Sequence, residues 1–225
     1  MLNYAGISLG MKKMTDTRPL VVVVDDDIST REGLAALLET TGCLVRCFES
    51  ATSFLAWDAP AVPSCLLLDV SLPDLDGLEL QARIGDDRPE MPIIFITGHG
   101  DIPMTVRAMR AGAVEFLTKP LGEDALLNAV DRAIEQSRTA LEEKTDVDGL
   151  RLCHAALSPR EKQVMALVVT GLLNKQVGWE LGISEITVKA HRGRVMEKMK
   201  ARSFADLVKM SARLELDPIV LRDPH

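Results

Sequence analysis

Asp25 and Asp26, Asp69, and Lys119 each stand just beyond a short apolar run, at residues 21–24, 65–68 and 114–118. Three carboxylates brought together raise one another's pKa values unless a cation neutralises them. Mg2+, or Mn2+ in its place, takes oxygen ligands and accepts a few carboxylates completed by water. A lysine across such a pocket can pair with a phosphoryl oxygen, and Thr97, closing a fourth apolar run at 93–96, adds a hydroxyl donor. The set amounts to a carboxylate nucleophile, a divalent metal and two partners for phosphoryl oxygens, which is phosphoryl-transfer chemistry.

Such residues can meet only if their apolar runs are neighbouring strands. Runs this short and this rich in aliphatic residues read as buried strands of a parallel sheet. Side chains just past the carboxyl ends of those strands converge on one edge of an open α/β sheet. Between the runs, helical patterns fall at 31–40, near Phe54, Leu55 and Trp57, from Leu78 to Ile84, at 104–111, and from Asp124 to about Leu141. Gly42 and Gly112 follow two of them as stops. A further strand at 44–48 completes five strand–helix units, so the fold class is α/β, a five-stranded doubly wound parallel sheet.

Charge divides the chain. Residues 1–150 hold 13 Lys/Arg against 25 Asp/Glu, net −12, whereas 151–225 hold 13 against 8, net +5. An acidic module joined to a basic one suggests two kinds of partner, nucleic acid for the second. Residues 1–18 are expected to be a disordered extension, 19–141 the first domain, 142–156 a polar linker without periodicity, 157–216 the second domain and 217–225 a tail. No apolar stretch approaches the roughly 20 residues of a membrane span, and no secretory signal is visible at the amino end. The expectation is a cytoplasmic protein without a membrane partner, whose Cys43, Cys47, Cys65 and Cys153 are reduced thiols. Asp74 and Asp76 read as turn residues, and His99 as an exposed loop histidine.

After residue 157 the strand patterns stop. Ser158-Pro159-Arg160-Glu161 has an N-cap, a proline at the first helical position and a capping-box glutamate. Gly171 ends that helix, a second covers 174–181, Gly182 and Ile183 turn, a third covers 184–199 and a fourth 203–216: an all-α four-helix domain. Wound at 100° per residue, the third helix puts Val188, Val195 and Met199 on one face. Ile186, Lys189, Ala190, Gly193 and Glu197 lie opposite, with His191, Arg192 and Arg194 between. A basic helix after a tight turn is the helix-turn-helix arrangement, and small residues at Ala190 and Gly193 would let it sit deep in a major groove. Lys189 is a candidate for base edges and Asn174, Lys175, Arg192 and Arg194 for phosphates, with Thr187 a further candidate for DNA contact.

Residues 20–141 resemble a response-regulator receiver domain, of the flavodoxin/CheY-like kind. The resemblance is carried by Val-Asp-Asp-Asp (24–27), Asp-Val-Ser-Leu-Pro-Asp-Leu-Asp-Gly (69–77), Ile-Thr-Gly-His-Gly-Asp (96–101) and Ala-Gly-Ala-Val-Glu-Phe-Leu-Thr-Lys-Pro (111–120). It implies that Asp69 is the phosphoacceptor for a sensor histidine kinase. Asp26, Asp69 and the Ser71 carbonyl would hold Mg2+, with Asp25 acting mostly through water. Lys119 and Thr97 would hold the phosphoryl group, Phe116 would be the switching aromatic, and Lys119-Pro120 would be cis.

Residues 157–213 resemble a LuxR-type DNA-binding domain, through Leu-Ser-Pro-Arg-Glu-Lys-Gln-Val (157–164), Leu-Gly-Ile-Ser-Glu-Ile-Thr-Val-Lys-Ala-His-Arg (181–192) and Lys-Met-Lys-Ala-Arg-Ser (198–203). Gln176 replaces the usual acidic residue and Gly178 the usual alanine. Together the halves resemble the FixJ/NarL family, nearest its FixJ-like members. That implies a transcriptional regulator rather than an enzyme, leaning to activation, that dimerises on phosphorylation and works on promoter DNA with RNA polymerase. One competing resemblance is to haloacid-dehalogenase-like phosphatases, with Asp25 as nucleophile and Asp27 as general acid. It leaves Asp69 and the second domain unexplained.

Overall fold

The computed structural model describes residues 18–98 and 101–215, except for the side chain of Asp86. His99, Gly100, most of the amino-terminal extension, the tail and Leu216 lie outside the described residues. The chain divides into two compact units between Leu141 and Glu142.

The first unit alternates strand and helix: β1 (Leu20–Val24), α1 (Ile28–Glu39), β2 (Leu44–Phe48), α2 (Ala51–Leu55), β3 (Ser64–Asp69), α3 (Gly77–Asp87), β4 (Ile93–Thr97), α4 (Ile102–Arg110), β5 (Glu115–Thr118) and α5 (Glu123–Ala155). The five strands form one parallel sheet in the order β2-β1-β3-β4-β5. Alternation along each strand decides what packs where. Val22, Val24, Leu66, Leu68 and Phe95 face one core with Phe54, Leu80, Ile84 and Ala108, from α2, α3 and α4. Val21, Val23, Cys65, Leu67, Ile94 and Ile96 face the other, with Leu34 and Leu38 of α1 and Leu126, Ala129, Val130 and Ala133 of α5. Burying such a side chain stabilises by about 1.5–3 kcal/mol, so a strand apolar on both faces is held between two helical layers. The strand order reverses between β1 and β3, the switch point at which open α/β sheets form their crevice.

The long fifth helix differs from expectation. The polar segment 142–156 reads as a linker, and the preceding helix as ending near Leu141, yet α5 runs unbroken from Glu123 to Ala155, 33 residues in all. Glu142, Glu143 and Lys144 are good helix formers, and Asp148 pairs with Arg151 one turn on at 2.8 Å. Gly149, which costs about 1 kcal/mol in a helix interior, does not break it.

The second unit adds α6 (Pro159–Val168), α7 (Asn174–Leu181), α8 (Glu185–Lys198) and α9 (Phe204–Arg213) around Leu157, Val164, Met165, Val168, Val177, Val188, Val195, Met199 and Leu207. Cys153, near the end of α5, packs against this core. Ser158 and Glu161 form the capping box that starts α6. Between α7 and α8 the backbone turns at Gly182 with φ +65°, a left-handed conformation that suits glycine. Gly178 allows the turn to close: its missing Cβ would lie 2.7 Å from the Ile183 carbonyl oxygen. All four cysteines are free, and burial pushes the Cys65 thiol well above its ordinary range.

Candidate functional site

β1 and β3 run side by side with Val24 beside Leu68, so the residues that follow, Asp25 and Asp69, reach the same rim. Asp25 is fully buried and Asp69 is 5% exposed. Lys119, one residue beyond β5, crosses to them: its Nζ lies 2.7 Å from an oxygen of Asp25 and 2.7 Å from one of Asp69. Asp26 is exposed, and one carboxylate oxygen from each of Asp25, Asp26 and Asp69 falls within 4.8 Å of the others. The amides of Asp27 and Ser71 donate to Asp25 and Asp69, each at 2.9 Å.

Burial pushes the Asp25 carboxyl above its ordinary value, further than the hydrogen bonds from Lys119 and the Asp27 amide pull it down. Burial alone would lower Lys119, but its bonds to Asp25 and Asp69 hold the ammonium above its ordinary value. Three carboxylates against one ammonium leave two negative charges, which matches one divalent cation. This donor set and its spacing fit Mg2+ or Mn2+.

Thr97 ends β4 almost wholly buried, and its carbonyl accepts from the Lys119 amide at 2.7 Å. Phe116, half-buried on β5, has its ring centre 6.1 Å from that of Phe95. The Lys119-Pro120 bond is cis. Gly77 opens α3 behind the rim, where a Cβ would lie 2.7 Å from the Asp69 carbonyl oxygen and 3.0 Å from Val70 Cα.

Two neighbouring aspartates are spent on capping. Asp27 caps α1 by accepting from the Ser29 amide at 2.8 Å, which lowers its pKa. This cap accounts for Asp27 without the general-acid part it has in the phosphatase resemblance. Asp74 is more than a turn residue: it accepts from the Thr52 amide at 2.8 Å, the Thr52 hydroxyl at 2.7 Å and the Ala51 amide at 3.2 Å. These bonds, the Thr52 amide foremost, hold its carboxyl below the usual range. Nothing local in the sequence marks this role, because Asp74 and the amides it caps are 22 and 23 residues apart.

In the second unit, α8 buries Val188, Val195 and Met199 and leaves Ile186, Lys189, Ala190, Gly193, Arg194 and Glu197 exposed. Lys175 is exposed on α7. Thr187 is tied to the N-cap, its hydroxyl 2.8 Å from that of Ser184. Arg192 is half-buried, donating to Asn174 at 3.0 Å with its guanidinium 4.6 Å from the centre of the Phe204 ring. Gln176, in place of an acidic residue, still caps α7: its side-chain oxygen accepts from the Leu173 amide at 2.8 Å.

Residues 21–131 match the response regulator receiver domain family, and residues 155–211 match the luxR family of bacterial regulatory proteins. The chain is a two-component response regulator. Nodulation protein W of Bradyrhizobium diazoefficiens is 53% identical over 198 residues, covering 88% of this chain and 87% of that protein. Transcriptional regulatory protein FixJ of Rhizobium meliloti is 42% identical over 191 residues, 85% of this chain and 94% of its own. The solved structure of the response regulator StyR is similar at 45% identity and a TM-score of 0.73, covering 87% of this chain and 99% of that one.

By family, then, this response regulator is a transcriptional regulator and not an enzyme, FixJ-like in its pairing of receiver and LuxR-type units. Its receiver implies a histidine kinase as partner, and its LuxR-type unit implies DNA. Receiver domains bind Mg2+ in an acidic pocket, and this one has the cluster of Asp25, Asp26 and Asp69. Among the described residues no helix is long and apolar enough to cross a membrane.

Proposed function

We propose that Asp69 accepts a phosphoryl group from the phosphohistidine of a sensor kinase in the cytoplasm, and that this drives dimerisation and promoter binding. The observation that carries the reading is the Lys119 ammonium held 2.7 Å from both Asp25 and Asp69 at the carboxyl rim of the sheet. An oxygen of Asp69 attacks phosphorus and the imidazole nitrogen of the kinase leaves. Asp26, Asp69 and the Ser71 carbonyl would hold Mg2+ (or Mn2+), with Asp25 acting mostly through water; when bound, the metal supplies charge neutralisation at the phosphoryl oxygens. Lys119 turns from the carboxylates to a phosphoryl oxygen, Thr97 donates to another, and Phe116 follows inward.

The new charge then shifts the face formed by α4, β5 and the start of α5, which joins two receivers. Two α8 helices thereby meet paired half-sites about one helical turn apart. Thr187, Lys189, Ala190 and Gly193 face the bases, and Asn174, Lys175, Arg192 and Arg194 the backbone. The bound dimer would recruit RNA polymerase as an activator. The decisive experiment is intact-mass measurement after incubation with acetyl phosphate and Mg2+. Wild type gains one phosphoryl group and Asp69→Asn gains none; equal labelling of the two would defeat the assignment.

A further inference from the structure

Beyond the C-cap of α8, Lys200 takes a left-handed φ of 55°, and the chain turns into α9 behind its N-cap Ser203. The corner borders an open, shallow concavity of about 540 Å3 lined in part by Lys200, Arg202, Lys209, Ser203 and Asp206. All three cations are exposed, and among the described residues none makes an ion pair. Asp206 is the one carboxylate in the wall, and its oxygen accepts from the Arg202 amide at 2.9 Å. The Ser203 hydroxyl accepts from the Asp206 amide at 3.1 Å, so these start-of-helix groups are already satisfied. What remains is a concave wall on which, among the described residues, three cations without an ion pair face one carboxylate.

α8 itself indicates the anion. Its 14 residues make a helix about 21 Å long, while the major groove is about 12 Å wide. If its first turns read bases, its last turn must emerge over a sugar–phosphate strand, and Lys200 follows directly. The wall contains no aromatic side chain on which a free nucleotide base could stack. We propose that Lys200, Arg202 and Lys209 form a backbone clamp for the phosphates of duplex DNA, a contact set separate from the α7 and α8 residues assigned above. The clamp rests on the DNA-binding reading of this unit.

The test is the salt dependence of binding, by the full-length protein, to a fluorescent duplex of arbitrary sequence. Each phosphate contact contributes about 0.9 to the slope of log K against log salt. The triple variant Lys200→Asn, Arg202→Gln, Lys209→Gln should therefore flatten the slope by about 2 to 3. A charge-matched receiver variant, Arg18→Gln, Arg46→Gln, Arg83→Gln, should keep the wild-type slope. Should Lys200→Asn disturb the turn, seen as a lower urea midpoint, the double variant Arg202→Gln, Lys209→Gln carries the same expectation at about 2. An unchanged slope, or an equal loss in both charge-matched sets, would overturn the clamp. So would loss of inorganic tripolyphosphate binding with the duplex slope intact, which would reassign the corner to a small anion. A wild type that fails to bind duplex at any salt would instead remove the DNA reading itself, and the clamp with it.

Discussion

Lys119 shares one ammonium between two carboxylates, and no single residue could achieve that geometry without the sheet behind it. The same dependence on backbone position applies at Gly77. A methyl group there would lie 2.7 Å from the Asp69 carbonyl oxygen and 3.0 Å from Val70 Cα, both backbone atoms that cannot swing aside. Gly77→Ala is therefore expected to cost about 1–3 kcal/mol through overpacking, read as a lower urea midpoint. Because the displaced peptide carries Asp69, phosphorylation by acetyl phosphate should slow as well. Full stability with slowed labelling would mean that the helix absorbs the methyl group and only the rim moves. The acidic triad and Lys119 were legible from residue type and spacing alone, since they stand at the carboxyl ends of three strands, Asp25 and Asp26 sharing β1. The capping role of Asp74 and the packing partners of Arg192 were not. Asp74 caps a helix far away in sequence, and Arg192 is held by Asn174 and Phe204, contacts that exist only after packing.

At the level of elements, the strands were legible because they are apolar on both faces, and α6, α8 and α9 because each begins at a serine N-cap. The continuation of α5 was not, since a helix exposed on most sides carries no apolar stripe to betray its period. The start of α6 allows a pH prediction. Glu161 is 3% exposed, and its pKa is lowered to about 2, first by the Lys198 ammonium 2.7 Å away and then by the Ser158 amide. A carboxylate depressed on folding stabilises fully above its unfolded pKa and loses that contribution as pH falls toward its folded one. Wild type should therefore exceed Glu161→Gln in urea midpoint near neutral pH, with the gap closing from about pH 5 toward about pH 2. A gap constant over that window would show that shape, not charge, makes the cap. On α8, Ile186 is 80% exposed on the face that carries Lys189 and Ala190. Ile186→Ala should leave stability within about 0.5 kcal/mol, as exposed substitutions do. It should also weaken duplex binding, through lost contact with thymine methyl groups; unchanged affinity would place that side chain outside the groove.

For the whole molecule, the proposed function requires that one phosphoryl group on an acidic unit govern the grip of a basic one. A single LuxR-type unit with few phosphate contacts binds weakly and loses affinity steeply with salt. Joining two receivers makes the second DNA contact intramolecular, raising avidity about a hundredfold or more without any new contact to DNA. The proposed joining of two receivers would use the exposed side of α4. Ile102, Val106 and Met109 lie one and two turns apart along α4, 81%, 42% and 42% exposed, an apolar stripe beside the cations Arg107 and Arg110. Ile102→Glu with Met109→Glu puts two like charges where two copies would meet, while both side chains point away from the core. The double variant should fold, bind Mg2+ and take up one phosphoryl group like wild type, yet sediment as a monomer after phosphorylation. Its affinity for a paired half-site should remain at the unphosphorylated wild-type level, about a hundredfold below phosphorylated wild type. If the variant still dimerised, the α4 stripe would not be the joining surface. If it stayed monomeric yet bound the paired site tightly, phosphorylation would act within one chain and effective concentration would not be the switch.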